Sequence, residues 1–198
     1  MAAPSIALPQ PVLPLSHEWR GRVGMGCLIA AESAIFAIFV VAYLFYAGKS
    51  LSGPVPSEVL HVPIFKSICL FSSSFTIAVA ERAIARGYLR RFGIFWFCTI
   101  ALGLIFIVGT AREWYRLIYH EGLTISTNLF GTTYYSLVGL HAFHVTVGLV
   151  GLGLVMILAL ADRVKHEQAH RVDVLALYWH FVDVVWVVVF TVVYIIGK

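Results

Sequence analysis

Charge is what this chain has least of. Of its 198 residues only 12% are Asp, Glu, Lys or Arg, against about a quarter in an ordinary water-soluble domain. With 60% hydrophobic residues and a mean hydropathy of +0.89, a soluble fold is excluded. The few charges gather in short clusters between long uncharged runs, the pattern of a chain that crosses a bilayer several times. Cysteine is equally sparse. Cys27, Cys69 and Cys98 each lie in an apolar run and none forms a CxxC pair. This argues against thiolate metal sites and disulfide frameworks and for small apolar filler. All seven prolines fall in the first 22 residues, in the 48–61 connection or at Pro63, so none interrupts a helix interior. No basic segment precedes an apolar one at the start, so residues 1–22 read as a tail on the cytoplasmic face and not as a secretion signal. P-loop, GxSxG and HExxH motifs are missing too.

What is present is five long apolar segments, at about 23–47, 62–82, 92–113, 132–161 and 174–197. At about 1.5 Å per residue, each is long enough to cross a hydrocarbon core of about 30 Å as a helix. They are too long and too continuously apolar for barrel strands. The expected fold is therefore all-α: one membrane domain, residues 23–198, of five transmembrane helices. The second segment is the most polar, with Ser72, Ser73, Ser74 and Thr76. Basic residues set the orientation. Nine fall on one side (Arg20, Arg22, Arg82, Arg86, Arg90, Arg91, Arg163, Lys165 and Arg171) and five on the other (Lys49, Lys66, Arg112, Arg116 and Lys198). This places the N-terminus in the cytoplasm and the C-terminus outside. It also accounts for the net charge of +4 without a nucleic-acid partner. No internal repeat of the transporter kind is evident.

Ionisable residues inside a bilayer are expensive, at about 2.5–3.5 kcal/mol for a carboxylate on the insertion scale. Glu32 lies well inside the first segment, His141 and His144 in the fourth, and His180 and Asp183 in the fifth. The pairs His141/His144 and His180/Asp183 are each three residues apart, hence on one helical face. A central polar cluster of Glu32, His144, His180 and Asp183 is geometrically possible. Three uses compete for these groups: ligation of haem or zinc by facing imidazoles, proton relay through Glu32, or hydrogen bonds that lock the bundle. Gly139, Gly148, Gly151 and Gly153 of the fourth segment offer close helix approach. Trp19, Trp114, Tyr115, Tyr119 and Trp179 sit near segment ends, as interfacial aromatics do. Lys66, Arg112 and Arg116 are placed to reach lipid phosphates.

Two stretches carry a family resemblance. "GLHAFHVTVG" and "YWHFVDVVW" resemble the C-terminal half of subunit III of the haem–copper respiratory oxidases. "AAESAIFAIFVVAYLFY", with Glu32, and "REWYRL", with Glu113, resemble its upstream segments. The resemblance covers about residues 18–198 and is to the five-helix form. It departs in the second segment, where Phe65-Lys66 stands in place of a common Asn-Thr or Asn-Ser, and Glu81-Arg82 where two histidines can occur.

The resemblance implies a non-catalytic subunit of a proton-pumping terminal oxidase, of cytochrome c oxidase type, in a bacterial or archaeal plasma membrane. It implies direct packing on subunit I, association with subunit II and further small subunits, and support of turnover and proton uptake. Haem and copper belong to subunit I, with copper in subunit II where the donor is cytochrome c. This chain then binds no metal of its own and has no catalytic residue, though structural phospholipid is expected. Glu32, His141, His144, His180 and Asp183 match the family's intramembrane polar positions. Lys66, Arg112, Glu113, Arg116, Trp179 and Trp186 are candidates for lipid or partner contact. A quinol oxidase subunit III and the related accessory subunit of a nitric oxide reductase share the pattern and stand as alternatives. An independent transporter and a b-type cytochrome are the readings from other classes.

Overall fold

A backbone in lipid must satisfy its own hydrogen bonds, and a helix does so within each segment. The computed structural model describes residues 17–50, 53–161 and 169–197, and among them there is no strand. The helices are α1 (His17–Tyr46), a single turn α2 (Pro56–Val59), α3 (Ile64–Ala85), α4 (Leu89–Tyr119), α5 (Leu129–Leu160) and α6 (Ala169–Phe190). A π-helical turn, Thr191–Ile196, continues α6. The five long helices are each long and apolar enough to cross a membrane. Residues 1–16, Arg163, Lys165 and Lys198 lie outside the described residues.

The helices overrun the apolar segments. The first begins at His17, within the stretch read as a tail, and α4 runs from Leu89 to Tyr119. Hydropathy registers only the part in hydrocarbon, whereas a helix continues into the headgroup region for as long as its backbone bonds hold. The 31 residues of α4 span about 46 Å.

Local chemistry fixes the ends. At the α3–α4 hairpin Gly87 has φ +78°. Its N–H bonds Ile84 O at 3.0 Å and the Tyr88 N–H bonds Ala83 O at 2.9 Å. This is the Schellman pattern, in which a residue without Cβ takes the left-handed position. The α5 N-terminus is capped by Asn128, whose Oδ1 accepts from Gly131 N–H at 2.8 Å. Gly131 has no substitute there, because a Cβ would fall 2.3 Å from Thr124 O.

The long helices form a closed ring in the order α1, α5, α4, α3, α6, with α5 and α6 also touching across it. The most extensive interface joins α3 to α4. Trp96, Trp179, Trp186, Tyr134, Phe92 and Phe106 fill the interior. Trp179 is central. Its ring lies against Gly103 of α4 and Gly148 of α5, and its Nε1–H donates to Ser73 Oγ of α3 at 2.9 Å. Gly151 is close to Leu175 and Gly139 to Trp114, whereas Gly153 faces open space. Of the four glycines expected to pack, three therefore do. The serines that make α3 polar are hydrogen-bonding partners for the other helices: Ser67 accepts from Trp186 Nε1 at 3.1 Å, Ser73 from Trp179, and Thr76 bonds Thr99 at 2.7 Å.

Candidate functional site

The polar groups form three separate stations. Between α1 and α5, Glu32 Oε2 lies 3.1 Å from His144 Nε2, and His144 Nδ1 lies 2.8 Å from Leu140 O. A carbonyl only accepts, so Nδ1 carries a hydrogen. A neutral imidazole then has a bare Nε2, and its bond to a carboxylate oxygen requires one further proton. The pair therefore holds one proton, either on the imidazole as an ion pair or on Glu32 as a carboxylic acid. Phe36 packs against the His144 ring at 5.0 Å, and Tyr178 OH donates to His144 O at 3.2 Å.

The second station joins α3 to α6. The Ser74 hydroxyl donates to Asp183 Oδ2 and lies 3.2 Å from His180 Nδ1, while His180 Nε2 approaches Glu81 Oε2 at 3.8 Å. With its hydrogen given to Asp183, Ser74 accepts from His180. His180 and Asp183 thus share a face as their spacing predicts, with Ser74 between them. Asp183 is buried, while His180 and Glu81 are part-exposed.

The third station closes the opposite end of α3. Lys66 Nζ bonds Glu113 Oε2 across the α3–α4 interface, both side chains being almost wholly buried. Tyr194 OH donates to Glu113 Oε1 at 3.1 Å and lies 3.4 Å from Tyr134 OH. The ammonium also lies 5.9 Å from the Phe106 ring centre and 5.8 Å from that of Trp186. His141, fully buried, stacks on Trp186 at 4.9 Å with Phe106 edge-on at 5.6 Å.

This arrangement revises several expectations. Glu32 and His144 meet, and His180 and Asp183 are joined through Ser74, but the two pairs belong to different interfaces, because α1 and α3 are not neighbours in the ring. Lys66 does not reach outward to lipid. It turns inward, since Glu113 offers a charge partner inside. Trp179 and Trp186 have no exposed surface, so they contact neither lipid nor a partner. Their indole N–H groups find serines on α3 instead. Trp19, Tyr115 and Tyr119 are exposed at helix ends, as interfacial aromatics are. Arg112 is exposed, and Arg116 donates to Val59 O at 2.9 Å, holding the α2 turn against α4. Sequence reasoning missed Ser74, Glu81, Tyr134 and Tyr194 as partners. For the tyrosines no local signal exists, because their partners are 60 and 81 residues away.

Among the described residues no group of three or more His, Cys, Asp or Glu is placed to hold a metal ion. The three intramembrane histidines do not face one another across a gap. His144 is tied to Glu32 and its own helix, His180 to Ser74 and Glu81, and His141 is stacked between aromatic rings.

The sequence model of cytochrome c oxidase subunit III matches residues 20–198. Among individual proteins, the cytochrome c oxidase subunit 3 of Synechocystis is 38% identical over 87% of this chain and 74% of its own length. That of Alkalihalophilus pseudofirmus is 32% identical over 88% of this chain and 86% of its own. The quinol oxidase subunit 3 of Bacillus subtilis is 29% identical over 88% and 86%. A match running through all five membrane helices and all three polar stations leaves one assignment: this chain belongs to the cytochrome c oxidase subunit III family.

Proposed function

We propose that this chain is the non-catalytic subunit III of a proton-pumping haem–copper terminal oxidase of cytochrome c oxidase type, acting in aerobic respiratory electron transport. The observation that carries the reading is the family match over residues 20–198, on a bundle whose intramembrane histidines are engaged by protein groups and aromatic rings. In this reading the chain packs on subunit I, which holds the haems and copper, and subunit II carries copper where the donor is cytochrome c. Its part is to stabilise subunit I and support proton uptake. Glu32 and His144 suit that part, because a proton can pass between the two without changing the net charge of the pair. The chain sits in a bacterial plasma membrane with its N-terminus cytoplasmic, a topology supported by the excess of basic residues at that side. A quinol donor is the second reading, favoured by the similarity to the Bacillus subtilis protein, which is named a quinol oxidase subunit 3.

Affinity purification of the tagged full chain in mild detergent tests the assignment. The expected result is recovery with a subunit carrying haem and copper. Recovery alone, with a haem absorption band of its own, would contradict it.

A further inference from the structure

The α3–α4 hairpin ends in a cleft of about 230 Å³ lined by Val79, Arg82, Ala83, Arg86, Tyr88 and Arg91. Three arginines therefore line one small space, with the Arg91 guanidinium 5.4 Å from the centre of the Tyr88 ring, and Arg90 follows in the first turn of α4. All four arginines are exposed, and among the described residues no carboxylate lies within ion-pair distance of any of them. Glu81, the nearest acid in sequence, faces His180 instead.

The helix end points the same way. The α4 N-terminus has no side-chain cap and no acidic residue in its first turn; Leu89 N–H donates to Gly87 O at 3.1 Å, and the remaining first-turn N–H groups and the positive dipole end have no side-chain partner among the described residues. Arg90 and Arg91 add cations at the end of a helix that disfavours them. An anion in the cleft would serve both the guanidinium groups and the helix terminus.

The fold indicates which anion. The cleft closes a transmembrane hairpin, so it lies at the membrane surface. From it a line of apolar side chains runs along one face of α3, through Val79 to the exposed Phe75, Phe71 and Ile68, at the spacing of a single helical stripe. A headgroup phosphate among the arginines would leave its acyl chains along that stripe. We infer that the Arg82–Arg86–Arg91 cleft binds the headgroup of an anionic phospholipid. This inference rests on the hairpin and not on the oxidase assignment.

Native mass spectrometry of the full chain, with the subunits that accompany it, tests this after exchange into detergent containing phosphatidylglycerol, phosphatidylcholine or inorganic phosphate. The wild type is expected to retain phosphatidylglycerol in preference to phosphatidylcholine. The Arg82→Gln/Arg86→Gln/Arg91→Gln variant should bind it about 100-fold more weakly, at about fivefold per cation. The corresponding triple Lys variant, which keeps the charge, should stay within about tenfold of wild type. Equal retention of the two lipids, or undiminished retention by the triple Gln variant, would overturn the inference. Displacement of the lipid by millimolar phosphate would indicate a free-phosphate site instead. If the triple Gln variant kept its lipid but lost a neighbouring subunit, the arginines would be a protein contact.

Discussion

Lys66→Met alone is expected to destabilise the bundle by about 3–5 kcal/mol, the usual cost of stranding one member of a buried ion pair. Lys66 and Glu113 are both sequestered between α3 and α4. Without the ammonium, the carboxylate would keep, among the described residues, only the Tyr194 hydroxyl as partner, at 3.1 Å. The double variant Lys66→Met/Glu113→Gln should recover most of the loss, because it removes both charges and leaves Gln able to bond Tyr194. Thermal unfolding of the detergent-solubilised complex reads the cycle. The expected coupling is well above the few tenths of a kcal/mol seen between independent sites. If the double variant were as unstable as the sum of Lys66→Met and Glu113→Gln, the two residues would not be acting as a pair.

Trp179→Ala is expected to cost about 3–5 kcal/mol, the range for emptying a large aromatic site in a packed interior. In lipid little of this is transfer from water. It is lost contact on both sides of the ring, against Gly103 and Gly148, together with the hydrogen bond to Ser73. The opposite change makes the same point. A Cβ at Gly148 would fall 2.8 Å from Trp179 Cε3, so Gly148→Ala must push α5 away from α6 or the indole off its serine. In the Trp179→Ala background that clash is gone, and Gly148→Ala should be nearly neutral. Equal cost of Gly148→Ala in both backgrounds would show that the glycine serves something other than the indole.

These two sites also show what the sequence makes legible. Hydropathy alone located all five membrane helices, because solvation by lipid is a property of each segment by itself. It shortened them, because helix ends in the headgroup region carry charge. The intramembrane carboxylates and histidines stood out because each is costly wherever it points. Helix rotation was not legible in the same way. Lys66 at a segment end reads as a cation reaching for phosphate until α4 brings Glu113 against it, 47 residues on. For the tryptophans a signal existed. Trp179, Asp183 and Trp186 are spaced four and three apart, hence on one face of α6. A carboxylate facing the bundle interior carries the tryptophans beside it inward. Ser73 was visible as part of a polarity defect in α3, whereas Ser67 was not singled out, and the meaning of both as indole acceptors appears only when α6 is laid against them.

The proposed role of this chain is to support a redox-active neighbour while holding no redox centre itself. Its most direct test compares the purified oxidase with and without the chain, measuring haem and copper per subunit I and following oxygen consumption over many turnovers. The expected result is unchanged metal content and initial activity, with proton uptake slowed and activity lost sooner when the chain is missing. Disappearance of a haem or a copper along with the chain would contradict it.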